Sequence, residues 1–233
     1  MRAFLLAAGL GTRLRPLTER IPKCMVPIGG RPLLDIWLDS FAKAGVDEVL
    51  VNLHYLPSLV RAHLASRTGP PTVYTCFEPE LLGSAGTLRA NQSWVSHEDM
   101  FLACYADNLT SFDLGTLITA HRRRPSLATI TAFRSEQPSS GGVLELGTDN
   151  CVISFAEKPA APASDLVNAG IYAFQPAVID EITGAPPRDI GYHLLPRLVN
   201  RAYAVTVYSY FRDIGTLDGY QKAQNEWPAL AER

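Results

Sequence analysis

Two glycines and two cations stand close together near the start of the chain, directly after a run of apolar residues. Gly9 and Gly11 follow the apolar residues 4–8, and Arg13 and Lys23 come shortly after them. Glycines at the end of a strand let backbone N–H groups approach a phosphate closely, where a Cβ atom would obstruct it. Cationic side chains around the same turn suit a polyphosphate. The segment therefore predicts a cradle for the phosphates of a nucleotide.

The spacing of these residues excludes two common phosphate-binding motifs. No Gly-Lys-Ser/Thr follows the glycines at the spacing that a P-loop requires. The dinucleotide fingerprint G-x-G-x-x-G also fails, because Leu14 stands at the third glycine position. On this segment alone, a tight strand-to-helix turn with surface arginines stays open as an alternative.

Two aspartates are candidates for metal ligands. Asp107 follows the apolar run 100–104, and Asp213 also comes just after a strand-like segment. Ligands bind at the carboxyl edge of a parallel sheet, and carboxylate oxygens suit Mg²⁺. Each aspartate taken alone could instead be a cap, Asp107 of the following turn and Asp213 of the helix expected from Thr216. The pair together favours a magnesium site.

The bulk properties limit the class of protein. The chain has 233 residues, 47% of them hydrophobic and 19% charged, which fits one sizeable α/β core. A net charge of −2 gives no field that would attract nucleic acid or an anionic membrane. The apolar runs are too short to cross a bilayer, and no secretory cleavage pattern accompanies the first strand. We therefore expect neither partner, and we expect the cytoplasm as the location.

Strand and helix patterns alternate through the first half of the chain. The predicted strands are 2–8, 48–53, 72–77 and 100–104, and the predicted helices are 32–44, 57–66 and 86–94. This order implies a parallel sheet with helices on both faces. The second half is less regular, with helices at 113–123, 189–200 and 216–226 and strands at 128–133, 142–146, 151–156, 166–174 and 203–208. Clusters of Gly, Ser and Pro between these strands indicate hairpins.

We predict a single domain over residues 1–233. Its fold class is α/β, with a Rossmann-like, mixed but mostly parallel sheet flanked by helices and a small β-rich lobe. Residues 1–110 would form the mainly nucleotide-binding part, and residues 111–233 would add the lobe and the second metal ligand.

Longer motifs extend the glycine turn. The pattern A-A-G-x-G-T-R-L-x-P-L-T is followed by P-K-x-M-x-P-I, and further motifs occur in order at Leu82–Thr87, Ala106–Asn108, Glu157–Pro159, Asn168–Tyr172 and Asp213–Thr216. Together they resemble the sugar-1-phosphate nucleotidyltransferases, or nucleotide-sugar pyrophosphorylases, and most of all the mannose/heptose-1-phosphate guanylyltransferases. The resemblance implies transfer of a nucleoside monophosphate from an NTP to a sugar 1-phosphate, with Mg²⁺ as cofactor and release of pyrophosphate. The small β-rich lobe would then bind the sugar.

The resemblance also implies roles for individual residues. Arg13 and Lys23 resemble the family's catalytic cations, and Asp107 and Asp213 resemble its magnesium ligands. The residues expected to bind the nucleotide are Leu6, Ala8, Gly9, Gly11, Thr12, Arg13, Glu78, Gly83 and Ser84. Those expected to bind the sugar phosphate are Gly142, Glu157, Lys158 and Asn168. Three alternatives stay open: a solvated Lys158, a turn-capping Asn168 and a plain hairpin turn at 141–142.

The choice of nucleotide depends on Glu78, which stands five residues before Gly83. A carboxylate only accepts hydrogen bonds, and guanine presents two adjacent donors, N1–H and the 2-amino group. Thymine and uracil present a donor flanked by acceptors, which suits an amide better. We therefore favour GTP, although Glu78 could be a solvated loop acid.

Two other functions stay open. One is a glucose-1-phosphate thymidylyl- or uridylyltransferase, and the other is a non-catalytic homologue that binds nucleotide sugars and regulates a partner. The second is disfavoured because every cation and carboxylate named above is present. Only a short tail comes after Trp227, so we expect no C-terminal left-handed β-helix and a single activity. A homo-oligomer is compatible with the sequence.

Overall fold

A computed structural model describes residues 1–124 and 126–227 of the chain. The strands are β1 (Arg2–Leu6), β2 (Pro27–Ile28), β3 (Arg31–Pro32), β4 (Glu48–Leu53), β5 (Thr72–Phe77), β6 (Phe101–Tyr105), β7 (Asn108–Thr110), β8 (Ala128–Arg134), β9 (Gly142–Leu146), β10 (Val152–Glu157), β11 (Leu166–Phe174), β12 (Ala202–Thr206) and β13 (Phe211–Asp213). The α-helices are α1 (Leu33–Lys43), α2 (Pro57–Ser66), α3 (Ser84–Ala90), α4 (Leu114–Arg123) and α5 (Leu217–Glu226).

One large sheet organises these elements. Its strand order is β10-β9-β11-β6-β1-β4-β5, and β8 joins β11 to β12. The strands β6, β1, β4 and β5 are parallel, whereas β11 runs antiparallel to both β6 and β8. The antiparallel pair β9 and β10 forms the predicted hairpin at one end of the sheet. The predicted α/β class with a mixed, mostly parallel sheet is confirmed.

Alternate residues of β1 pack on opposite faces of the sheet. Ala3 and Leu5 belong to the apolar core that contains α1, while Phe4 and Leu6 belong to the core that contains α3. A strand that is buried on both faces needs the continuous apolar run that the sequence shows. This packing fixes the end of β1, from which the glycine turn emerges.

The polar segments of interest leave the sheet at one edge. The carboxyl ends of the parallel strands β1, β4, β5 and β6 all lie at this edge. The glycine turn follows β1, Glu78 follows β5 and Asp107 follows β6. Ligands of open α/β sheets bind in the crevice outside this edge. The fold therefore gathers the candidate residues on the side where a ligand is expected.

Two predicted helices differ from the structure. The helix predicted over 189–200 is wrong, since the segment forms a π turn at Ile190–Leu194 and a 3₁₀ turn at Leu195–Leu198. Pro196 has no amide hydrogen and cannot continue an α-helical ladder. The helix predicted over 86–94 begins earlier, as α3 does at Ser84, and residues 92–94 form a separate 3₁₀ turn.

In the part of the chain that the structure describes, no helix combines the length and apolarity needed to cross a bilayer. The residues after Trp227, for which we expect a short tail and no β-helix, lie outside the described residues.

Candidate active site

A cleft of about 570 Å³ opens at the carboxyl edge of the parallel strands. Its walls contain all nine residues that the sequence assigns to the nucleotide: Leu6, Ala8, Gly9, Gly11, Thr12, Arg13, Glu78, Gly83 and Ser84. Lys23, Asp107 and Gly215 line it as well. The structure therefore brings together segments that are far apart in sequence, and we call this cavity the nucleotide cleft.

The two glycines of the first turn differ in their surroundings. Gly11 has φ +65°, and a Cβ atom there would lie 2.9 Å from Cγ2 of Thr18. The hydroxyl of Thr18 also donates a 2.7 Å hydrogen bond to the carbonyl of Gly11. A Cβ atom on Gly9 would meet no protein atom within 4 Å. The fold requires glycine at position 11, whereas the space beside Gly9 is free for a ligand.

A second cavity of about 450 Å³ adjoins the first. Its lining contains the four residues assigned to the sugar phosphate: Gly142, Glu157, Lys158 and Asn168. Three residues, Tyr105, Asp107 and Asp189, line both cavities. We call this cavity the sugar cleft. Because Asp107 lies at the junction, ligands in the two clefts would meet beside its carboxylate.

The two predicted metal ligands are neighbours in a short β ladder. Strand β13 pairs with β7 so that Asp213 stands opposite Asn108, and the amide of Ile214 donates a 3.0 Å hydrogen bond to the carbonyl of Asp107. Nζ of Lys23 lies 2.5 Å from Oδ2 of Asp107. The structure thus places both carboxylates and one of the predicted catalytic cations at the junction of the clefts.

The side chains of Asp213, Lys23 and Arg13 converge on Gly215. A Cβ atom on Gly215 would lie 2.7 Å from Oδ1 of Asp213 and 2.9 Å from Nζ of Lys23. The same atom would lie 3.0 Å from Nη2 of Arg13. The amide of Gly215 donates a 2.6 Å hydrogen bond to Oδ1 of Asp213. A larger residue at position 215 would displace the charged groups.

The alternative that Asp213 caps the last helix is wrong. The N-cap of α5 is Thr216, whose side chain accepts a hydrogen bond from the amide of Gly219. Although residue Asp213 is exposed, the protein atoms around its carboxyl displace water and raise its pKa, and the nearby negative charge of Asp107 raises this pKa further. Lys23, the Gly215 amide and Arg13 act on this pKa in the opposite direction. Because the negative charges of Asp107 and Asp213 act against each other, a cation held by both would offset their repulsion.

This donor set fits a divalent cation. Carboxylate oxygens are hard ligands, and Mg²⁺ is commonly held by one or two carboxylates together with phosphate oxygens and water. Within residues 1–124 and 126–227, no group of three or more His, Cys, Asp and Glu side chains could hold a metal. A cation on Asp107 and Asp213 would therefore take its remaining ligands from substrate and water.

Glu157 presents a carboxylate to the sugar cleft. A Cβ atom on Gly142 would lie 2.7 Å from Oε2 of Glu157, and one on Gly191 would lie closer still. Burial raises the pKa of the Glu157 carboxyl, with Lys158 lowering it and Asp189 raising it. Among the described residues, no hydrogen bond to this carboxylate is found, so it can accept from a ligand hydroxyl.

The remaining sugar-cleft residues have mixed surroundings. Gly142 pairs with Glu157 in the antiparallel ladder, so the alternative of a hairpin turn at 141–142 is wrong, and the hairpin turns near 147–150. Asn168 donates to the hydroxyl of Tyr172 at 2.6 Å and accepts from the amide of Gly170 at 3.0 Å. These contacts agree with the alternative that Asn168 caps a turn. Its role toward sugar stays a prediction.

Lys158 lies at the rim of the sugar cleft. Its residue is exposed, and its backbone has φ +48°. Its amide donates a 3.0 Å hydrogen bond to the carbonyl of Gly141, which fixes the start of the side chain. The phosphate-binding role assigned to Lys158 stays a prediction.

Glu78 lies in the wall of the nucleotide cleft, but only 3% of the residue is exposed. Its carboxylate accepts hydrogen bonds from Asn52, Thr87 and the amide of Leu82. The alternative that Glu78 is a solvated loop acid is therefore wrong. A carboxylate has about four acceptor sites, so about one is left for a base.

The lining residues to which the sequence prediction gives no role include Asp189, Tyr105 and Asn52. Asp189 starts the helix predicted over 189–200, where an aspartate is typical of a cap. Tyr105 ends an apolar strand and gives no polar signal beyond its hydroxyl, which donates to Ser84 at 3.0 Å. Asn52 is the one amide in the strand Glu48–Leu53, and a buried polar residue at a strand end is a usable signal.

The fold and the site together define the class: an α/β protein that presents a polar cleft at the carboxyl edge of its parallel strands. A family model described as nucleotidyl transferase matches residues 2–229. The chain belongs to the nucleotidyl transferase family.

Curated relatives in this family have two different substrates in their names. The chain is 35% identical to a UTP–glucose-1-phosphate uridylyltransferase of Synechocystis sp., over 96% of this chain and 62% of that protein. It is 32% identical to a mannose-1-phosphate guanylyltransferase catalytic subunit beta of Drosophila pseudoobscura pseudoobscura, over 92% of this chain and 59% of that protein. The chain thus spans about three fifths of the length of these relatives.

A solved structure supports the same fold. HddC from Yersinia pseudotuberculosis, crystallised in complex with GMP-PN, superimposes with a TM-score of 0.81 at 24% sequence identity. The match covers 97% of this chain and 99% of that one.

Proposed function

We propose that the protein transfers a nucleoside monophosphate from an NTP to a sugar 1-phosphate and releases pyrophosphate. The observation that carries the proposal is the convergence of Arg13, Lys23 and Asp213 on Gly215, beside the junction of the clefts at Asp107. A triphosphate in one cleft and a sugar phosphate in the other would place the reacting phosphates at this junction.

The reaction needs positioning and charge stabilisation more than proton transfer. The phosphate oxygen of the sugar phosphate is already anionic, so it can attack the α-phosphorus without a general base. The bond between the α-phosphorus and its bridging oxygen breaks, and the electron pair leaves with pyrophosphate. Arg13 and Lys23 offset the charge that develops, and Lys158 holds the attacking phosphate.

Asp107 and Asp213 would hold Mg²⁺ in this proposal. Bound there, the ion would neutralise negative charge on the phosphates and orient them. The ladder that sets Asp213 opposite Asn108, next in sequence to Asp107, and the charge interaction between the two carboxylates support this assignment.

GTP and a mannose- or heptose-type sugar phosphate are the substrates that we favour. Mannose-1-phosphate guanylyltransferases from several organisms share 31–32% identity with the chain. A second candidate is a glucose-1-phosphate uridylyl- or thymidylyltransferase, because the uridylyltransferase of Synechocystis is 35% identical. We keep the cytoplasm as the proposed location, with no nucleic-acid partner.

A substrate panel tests the proposal. Pyrophosphate release would be measured for GTP, UTP, dTTP, CTP and ATP, each with mannose 1-phosphate and with glucose 1-phosphate, at fixed Mg²⁺. We expect the fastest turnover with GTP and mannose 1-phosphate. Faster turnover with UTP or dTTP would select the second candidate. Absence of release from every pair, by protein that binds nucleotide, would overturn the transferase proposal and favour a regulatory homologue.

A further inference from the structure

Beneath the nucleotide cleft, one buried carboxamide connects the carboxyl ends of three parallel strands, β1, β4 and β5. Asn52, in β4, is 4% exposed. Its Oδ1 accepts a 2.6 Å hydrogen bond from the amide of Ala7, directly after β1. Its Nδ2 donates to Oε1 of Glu78 at 2.8 Å and to the hydroxyl of Thr87 at 3.0 Å. Because one amide N–H₂ serves two acceptors and the carbonyl serves an N–H, the orientation of this side chain is fixed.

Glu78 is the acceptor at the centre of the same network. Besides Asn52, the hydroxyl of Thr87 lies 2.5 Å from Oε1, and the amide of Leu82 lies 3.1 Å from Oε2. Both carboxylate oxygens therefore have donors from the chain. A base that presents two adjacent donors would need two acceptors side by side, and Glu78 could offer them only by releasing a buried donor.

The network joins the two walls between which a nucleobase would lie. One wall is formed by residues 6–8, and the other by Leu81, Gly83 and Ser84, all of which line the nucleotide cleft. Ala7 belongs to the first wall and is held by Asn52, whereas the second wall is held through the amide of Leu82, which lies in sequence between Leu81 and Gly83 and donates to Glu78. The hydroxyl of Thr87 also lies 3.1 Å from the carbonyl of Gly83. The chain of hydrogen bonds therefore fixes the separation of the walls.

We propose that Asn52 and Glu78 are positioning residues that set the width of the nucleobase slot, and that the base is selected by groups of the walls and not by the Glu78 carboxylate. The inference rests on the proposed function for the identity of the ligand. It assigns Asn52 a role, and it replaces the direct base contact predicted for Glu78 with an indirect one.

Exchange of the amide and the carboxylate tests this inference. Glu78→Gln leaves the network one acceptor short, and Asn52→Asp brings two carboxylates into contact. The double variant Asn52→Asp/Glu78→Gln restores the count of donors and acceptors. The carboxylate introduced at position 52 would accept from Ala7 and from the amide introduced at position 78, whose carbonyl would accept from Leu82. Glu80→Gln makes the same exchange at an exposed position two residues from Glu78 and serves as the matched control.

The measurements are kcat and KM for GTP, UTP and dTTP, together with calorimetric dissociation constants for the three nucleotides and melting temperatures. We expect each single variant to weaken the binding of all three nucleotides by a common factor of about ten, with KM for the sugar 1-phosphate unchanged within about twofold. The double variant should recover most of this loss, and Glu80→Gln should bind like the wild type. A purely structural role would lower the melting temperature without moving the nucleotide constants of the folded protein.

Two results would overturn the inference. A change in the order of preference among the three nucleotides in Glu78→Gln that persists in the double variant would show that the carboxylate reads the base. A double variant no better than the worse single variant would show that the hydrogen bonds do not set the slot. If Asn52→Asp does not fold, Thr87→Val replaces it, with the same uniform weakening expected. The calorimetric arm reports on this inference even if the wild type releases no pyrophosphate, which would defeat only the transferase proposal.

Discussion

Nζ of Lys23 lies 2.5 Å from Oδ2 of Asp107, although 84 positions separate the two residues in the chain. Only 8% of Lys23 is exposed, so the ammonium group is held in the wall of the nucleotide cleft and not in bulk water. A lysine is almost never buried without a partner or a function. The ion pair fixes the cation at the junction of the two clefts.

Replacement of Lys23 by methionine should show whether turnover depends on the charge of this side chain or on its length. Lys23→Met keeps the length of the side chain and removes the charge that would stabilise the phosphates, so we expect kcat to fall by about 10²- to 10³-fold. Steady-state pyrophosphate release measures the effect. Lys222→Met is the control, since Lys222 is an exposed lysine paired with Asp218 on α5, and it should leave kcat unchanged. Equal losses in both variants would contradict the role of Lys23.

Asp213→Asn should remove a metal ligand and preserve the shape of the side chain. We expect turnover to fall by about a hundredfold or more and the dependence on Mg²⁺ concentration to shift upward, with little change in melting temperature. Turnover would be titrated against Mg²⁺ for this variant and for Asp218→Asn, in which an exposed carboxylate of α5 is changed. Near wild-type turnover of Asp213→Asn at limiting Mg²⁺ would rule out the metal assignment.

Gly9 and Gly11 should respond differently to alanine. A methyl group at position 9 meets no protein atom within 4 Å, so Gly9→Ala should fold normally and raise KM for the nucleotide. Gly11→Ala should lower the melting temperature, because φ is +65° and Thr18 stands in the way. Thermal denaturation and KM would be measured side by side. An unchanged KM in Gly9→Ala would show that no phosphate approaches that turn.

Gly215→Ala tests whether the converging charges need the space above this glycine. The added methyl group would press on Asp213, Lys23 and Arg13, of which the last two have long, flexible side chains. We expect a fall in kcat of about tenfold or more and a small change in melting temperature. Activity assays with circular dichroism as the check on folding measure both effects. If activity survives intact, these side chains do not act at the positions that they occupy in the structure.

Glu157 should make the use of the sugar phosphate depend on pH. Burial raises the pKa of its carboxyl, so protonation occurs at a higher pH than for an ordinary glutamate. KM for the sugar 1-phosphate should therefore rise as the pH falls through this raised pKa, while KM for the nucleotide does not follow the same curve. Steady-state kinetics over a pH series measure it, and the exposed Glu136→Gln is the control.

Glu157 should also make the stability of the folded chain depend on pH, in the opposite direction to an acid in a salt bridge. The folded chain binds the Glu157 proton more tightly than the unfolded chain does, so stability declines as the pH rises through the raised pKa. Glu157→Gln removes this cost, and it should melt no lower than the wild type at neutral pH while using the sugar phosphate poorly. A marked loss of stability in Glu157→Gln would mean that the carboxylate has a structural role.

Local patterns predict most of the fold. Strands 48–53 and 72–77 and helix 57–66 agree with β4, β5 and α2 to the residue, because short apolar runs bounded by turn residues leave few alternatives. The helix predicted over 189–200 is wrong because Pro196 interrupts the α-helical hydrogen bonds, an effect that the apolar spacing alone does not take into account.

The sequence by itself determined the family, the carboxyl-edge location of the site and the kinds of group that would handle phosphate, since these depend on residue types in fixed local motifs. Only the tertiary structure decided that Asp107 and Asp213 are neighbours and that Asp213, Lys23 and Arg13 converge on Gly215. It also decided that Glu78 is already hydrogen-bonded by Asn52 and Thr87. Those relations depend on strand pairing and burial between distant segments. Residue types and their local spacing do not specify the distances between segments that only the folded sheet brings together.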